Sequence, residues 1–147
     1  MDNLRFKKVR DVTSPSRGHA TDAGIDMYVP NSVDWDSYTI QPGTDIRIPS
    51  GIKFDIEPGW CATFLNKSGI SYNKKLIIGG QLIDSGYQGE VHLHLINTSN
   101  SEIVIKSGQK IAQIIILPVP EVKITEVKGE LYEQTSSRAA SGFGSTD

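Results

Sequence analysis

The chain reads as an all-β protein of short antiparallel strands, a sandwich, jelly roll or barrel, on three observations. Apolar residues recur at alternate positions in short runs, Gly, Pro, Asn, Asp or Ser bound those runs, and almost no stretch has a helical period that could supply crossover helices. A period of two puts successive side chains on opposite faces, which marks a half-buried strand. The first candidates cover residues 4–10 and 25–29. Residues 45–49, 52–56 and 61–65 follow, with turn pairs Pro42-Gly43 and Pro58-Gly59 among them. Leu76-Ile77-Ile78 is a shorter apolar run. Residues 90–96 give the clearest strand, with Val91, Leu93 and Leu95 on one face and His92 and His94 on the other. Ile103 and Ile105 alternate beyond it, Ser107-Gly108 turns the chain, and residues 111–119 and 122–127 complete the set. Residues 111–117 are almost continuously apolar, so both faces need cover from a second sheet and a loop, or from another subunit. An oligomer is expected.

With 147 residues, 37% apolar and 22% charged, the chain suits one soluble domain. A domain of this size buries roughly 68–70% of its unfolded surface and needs neither disulfide nor structural zinc. Cys61 is alone among apolar neighbours and reads as an inert core thiol. Fifteen basic against 17 acidic residues give a net charge of −2, without the basic excess that serves nucleic acid or an anionic membrane. Any anionic ligand must be held by local groups. No run approaches the ~20 apolar residues of a spanning helix, and the first residues lack a signal-peptide pattern, so a cytoplasmic location is expected.

Residues 1–127 are expected to form the core and residues 128–147 a flexible C-terminal arm. Composition alone makes the arm a disordered end, yet it carries Arg138, Phe143, Ser145 and Thr146. An Arg grips phosphate oxygens bidentately, and the glycines beside Phe143 would let backbone amides approach a ligand closely.

Several chemistries are closed. Neither a Walker A loop nor G-x-G-x-x-G occurs, no G-x-S-x-G elbow is present, and one cysteine with three histidines cannot build a deaminase zinc site. His92 and His94 share a strand face without an evident third metal ligand, so they read as a polar solvent-facing or inter-subunit pair.

Five ordered segments remain, and together they resemble the homotrimeric deoxyuridine triphosphatases, the dUTPases. Ala23-Gly24-Ile25-Asp26-Met27 is similar to that family's A-G-Y-D-L, which implies a catalytic place for Asp26 near the metal's hydration shell. Asn66-Lys67-Ser68-Gly69 is similar to P-R-S-G, implying that Lys67, Ser68 and Gly69 meet the triphosphate; Lys67 keeps the charge of Arg without its fork. Residues 81–90 resemble G-V-I-D-x-D-Y-x-G-E, the hairpin that reads uracil. The resemblance makes Asp84 the water-activating base, packs Tyr87 on the deoxyribose, and puts Gly79, Gly80, Gln81 and Ile83 around the uracil. Gln81 replaces the family's Gly, Gly86 its second Asp, and Ile78 the Asn three residues earlier. Residues 107–113 resemble G-D-R-I-A-Q, in which Gln113 matches the phosphate-contacting Gln. Residues 138–147 resemble R-G-x-G-G-F-G-S-T-G, which assigns Arg138, Gly144, Ser145 and Thr146 to phosphate and Phe143 to a lid over the base.

The resemblance implies a dUTP diphosphatase that releases dUMP and pyrophosphate, lowering dUTP and supplying dUMP for thymidylate synthesis. It implies a homotrimer whose arm closes over a neighbour's site, and Mg²⁺ held by the substrate phosphates and waters with no direct protein ligand. A triphosphate carries about four negative charges, so a chain without net positive charge needs such an ion and focused donors. Three other readings stay open. A nucleotide-gated regulator with a protein partner would follow from the changes at Lys67, Gln81 and Gly86. A dCTP deaminase would need a Glu where His94 stands, and a purely structural jelly roll would bind no nucleotide.

Overall fold

A computed structural model describes residues 1–132 and shows antiparallel strands with one short helix. In chain order these are β1 (Arg5–Lys8), β2 (Ile25–Tyr28), β3 (Ser37–Ile40), β4 (Asp45–Pro49), β5 (Ile52–Asp55) and β6 (Trp60–Asn66). Helix α1 (Ser68–Lys74) follows, then β7 (Leu76–Gly79), β8 (Leu82–Asp84), β9 (His92–Asn97), β10 (Ile103–Lys106) and β11 (Lys110–Pro118). A four-stranded sheet runs β2-β11-β6-β8, a three-stranded sheet runs β4-β9-β7, and β1-β5 and β10-β3 form two-stranded ribbons. This is the expected all-β jelly roll.

Alternation decides the core. Leu93 and Leu95 point inward from β9 while His92 and His94 stay half-exposed, and Ile48, Leu76 and Ile78 join them from β4 and β7. Met27, Ala62, Phe64 and Ile114 meet them from the larger sheet. Each fully buried Leu, Ile or Phe side chain contributes roughly 1.5–3 kcal/mol. Cys61 is buried and free, as a core thiol should be.

Three segments differ from the sequence reading. Residues 37–40 form β3, which only Ile40 buries, so no apolar alternation announced it. Residues 122–127 form no strand; Val122 and Ile124 are 76% and 94% exposed. Helix α1 buries none of its seven residues and thus lacks the apolar stripe by which helices are read, while Lys75 closes it in the left-handed region at φ 55°.

β7 and β8 also diverge instead of forming a paired hairpin. β7 joins β9 and β8 joins β6, so the chain crosses between sheets at Gly80, whose φ of 56° suits glycine. Two side chains bridge the gap. Asn66 Oδ1 accepts from the Ile78 amide at 2.7 Å, and Gln81 Nε2 donates to the Ile78 carbonyl at 3.0 Å. The backbone groups that β7 turns away from β9 are thereby satisfied.

Candidate active site

Two cavities hold seven of the described candidate residues, and Ser68, Gly69, Gly79 and Gln81 line neither. The first, about 430 Å³, is lined by Asp26, Lys67, Lys110 and Gln113, with Gly24 at its edge. Asp26 faces Gln113 across the β2–β11 ladder, and Lys67 follows directly on β6, the other neighbour of β11. A bulge brings Lys110 to the same side. Residues three apart on a regular strand face opposite ways, but Lys110 pairs with Tyr28 and Ala112 with Met27, so Ile111 is extra and the phase shifts.

Asp26, 5% exposed, accepts from Lys67 Nζ at one oxygen and from Lys110 Nζ at the other, both at 2.6 Å. Burial pushes the carboxyl up, but the hydrogen bonds from Lys110 and Lys67 outweigh it and hold it below its ordinary value. Lys110 is raised by the same contact. Gln113 Nε2 donates to the Asn66 carbonyl at 2.9 Å, and a Cβ on Gly24 would lie 2.2 Å from Gln113 Oε1. The glycine of the first segment makes room for the glutamine of the fourth. Ser68 and Gly69 open α1 beside Lys67.

The second cavity, about 530 Å³, lies between the crossing segment and the outer face of the β4-β9-β7 sheet. Gly80, Ile83, Asp84 and Tyr87 line one side, and Asp45 and His94 the other. Gly79 backs His94, and Gln81 spends its amide nitrogen on Ile78. The Tyr87 amide closes a turn on the Asp84 carbonyl at 3.1 Å, and its hydroxyl donates to the Glu90 carbonyl at 2.8 Å. Glu90 is itself pinned, accepting from Arg10 Nε at 2.8 Å and from the Gly51 amide at 2.7 Å. Burial raises the Glu90 carboxyl, while these two donors bring it below its ordinary value.

One chain does not join the two cavities. Asp84 pairs with Cys61 at one end of β6, and Lys67 lies past the other, six residues or about 20 Å along the strand. Arg138, Phe143, Gly144, Ser145 and Thr146 lie outside the described residues. Lys110, Asn66, Arg10, Glu90 and His94 are additions to the sequence-level set. Lys110 stood in the fourth segment, but its pairing with Asp26 depends on a bulge that no local pattern announces.

One cavity of this jelly roll thus gathers two lysines and an amide around a buried carboxylate, and the other sets a carboxylate beside an aromatic. The dUTPase family profile matches residues 10–147, and the chain belongs to that family. It is 36% identical over 149 residues to the deoxyuridine 5'-triphosphate nucleotidohydrolase of Clostridium acetobutylicum, covering 99% of this chain and 97% of that one. The enzyme of the same name from Gloeobacter violaceus is 34% identical over 134 residues, with 90% and 87% covered. In fold, the chain matches the dUTPase of Staphylococcus bacteriophage 80alpha, solved with dUPNHPP, at a TM-score of 0.84 and 24% identity over 100% of this chain and 99% of that one.

Proposed function

We propose that the chain hydrolyses dUTP to dUMP and pyrophosphate by attack of water on the α-phosphorus, lowering dUTP and supplying dUMP for thymidylate synthesis. The carrying observation is the pair of complementary cavities, with cations for phosphates at one end of β6 and Asp84 with Tyr87 at the other. In this reading Lys67, Lys110, Ser68 and Gln113 bind the triphosphate. Asp26 holds both ammonium groups in place. Asp84, an exposed acceptor, orients the water and takes its proton. Tyr87, anchored at both its amide and its hydroxyl, packs on the deoxyribose and leaves no space for a 2′-hydroxyl. Ile83, Gly80 and Gly79 shape the base end, and the arm residues Arg138, Phe143, Gly144, Ser145 and Thr146 complete the site.

The residues suit an Mg²⁺ ion carried by the substrate. Among the described residues no group of three or more His, Cys, Asp or Glu could hold a metal, and both Asp26 oxygens are engaged by lysines. Mg²⁺ keeps several waters and binds phosphates with few carboxylates, so this donor set fits, with Asp26 next to the hydration shell. When bound, the ion neutralises charge on the phosphates.

The reading includes a homotrimer with sites shared between subunits, and the separation of about 20 Å within one chain supports sharing, because a second copy can set its Asp84 against the first copy's lysines. Leu117, Val119, Val122, Ile124 and Val127 are exposed apolar groups that such an assembly would cover. No helix among the described residues is long and apolar enough to cross a membrane. Nucleoside triphosphates are cytoplasmic metabolites, and the reading puts the chain there.

Pyrophosphate release from dUTP, dTTP, dCTP and UTP, each with Mg²⁺ and with or without the last ten residues, tests the proposal. Turnover of dUTP, lost on truncation, is the expected result. No turnover of any nucleotide would refute it.

A further inference from the structure

The larger cavity has three basic side chains that the roles above leave unused, Arg47, His92 and His94. His94 on β9 lines it, with its side chain 35% exposed. Its cross-strand partner is Gly79, and a Cβ there would lie 2.5 Å from Nδ1. Only glycine at that position leaves room for the imidazole. The other nitrogen, Nε2, is 2.7 Å from Asp45 Oδ2. A carboxylate only accepts, so Nε2 carries the hydrogen, and Nδ1 of the neutral ring is left as an acceptor on the side of Gly79 and Gly80. Arg47, opposite His94 on β4, can only donate and so cannot meet a ring N–H. Ile78 is apolar and 4% exposed, and the Gln81 amide nitrogen is spent on the Ile78 carbonyl.

We propose that His94, oriented by Asp45, reads N3 of the pyrimidine ring. Nδ1 accepts the N3 hydrogen, which uracil and thymine carry and cytosine lacks. Against cytosine it would set two lone pairs facing each other. His94 is therefore a specificity-determining residue for uracil over cytosine and is indifferent to the 5-methyl group that separates uracil from thymine. The inference deepens the dUTP reading and rests on it for the identity of the larger cavity as the base site.

Titration calorimetry with the α,β-imido analogues of dUTP, dCTP and dTTP, each with Mg²⁺, separates the two ideas because it needs no turnover. The full-length chain should prefer the uracil analogue to the cytosine one. His94→Ala should narrow that preference about tenfold or more and leave the uracil-to-thymine ratio within about twofold. Asp45→Asn is the second variant, at a side chain 59% exposed where folding is not at risk. An amide can donate to Nε2, which moves the ring hydrogen to Nδ1 and should shift preference towards cytosine. Should His94→Ala fail to fold, Asp45→Asn decides. Unchanged uracil-to-cytosine ratios in the folded variants, or a wild-type chain with no preference, would overturn the assignment. Preserved discrimination without pyrophosphate release would instead refute the dUTP hydrolysis and leave His94 in place.

Discussion

At the scale of single residues, the site depends on groups that constrain one another more than on isolated catalytic side chains. Asp84→Asn removes the proposed base while keeping its size, so turnover should fall about 10²–10⁴-fold with dUTP-analogue affinity little changed. Single-turnover kinetics beside calorimetry would check this, and an active variant would remove Asp84 from the role. Gly24→Ala drives a methyl into Gln113, whose amide is held by Asn66, and should cost about 1–3 kcal/mol of stability in a urea melt while raising KM for dUTP. Asp26 makes a pH prediction. Its folded-state pKa is lowered, so the stability it contributes is present above its ordinary value of 3.8 and is lost as the pH falls through the depressed folded value. Glu90, lowered from 4.5, acts in the same direction. Melting temperature should therefore drop on acidification below about pH 4.5, and Asp26→Asn and Glu90→Gln should each flatten that slope.

At the scale of elements, Asn66 ties the crossing between β7 and β8 to Gln113 on β11. Asn66 and Gln81 hold the two backbone groups of Ile78, and the Asn66 carbonyl also accepts from Gln113. Replacing either by Ala strands a backbone group and should cost about 1–3 kcal/mol. The double variant should cost less than the sum, because one loosened crossing segment releases both groups. A double-mutant cycle in urea measures the coupling. Asn66 and Gln81, two departures from the family pattern, thus have a structural reason in this chain. They were visible in the sequence as replacements, but their shared partner was not, because Gln81 and Asn66 converge only after β7 and β8 part onto different sheets.

At the scale of the whole molecule, the proposed trimer would account for both the separation of Asp84 from Lys67 and the exposed apolar groups near and beyond the end of β11. Sedimentation equilibrium should give three times the 16.1 kDa chain mass. Ile124→Glu, at a position 94% exposed in one chain, should shift the mass towards one copy and remove dUTP turnover together with it. Retention of full activity by a monomeric variant would refute a shared site.

The strand periods, the isolated buried cysteine and the ordered family segments were legible in the chain itself. Alternation and turn chemistry are local, and one ladder face must be apolar wherever a core exists. The sequence could also name Asp26, Lys67 and Gln113 as candidates, since each falls in a recognisable segment. It could not bring them together. Their convergence depends on the order β2-β11-β6, Lys110 joins them only through a bulge at Ile111, and His94 meets Asp45 only because β9 lies between β4 and β7. Such contacts join residues more than 40 positions apart, and tertiary pairing alone decides which of them share a cavity.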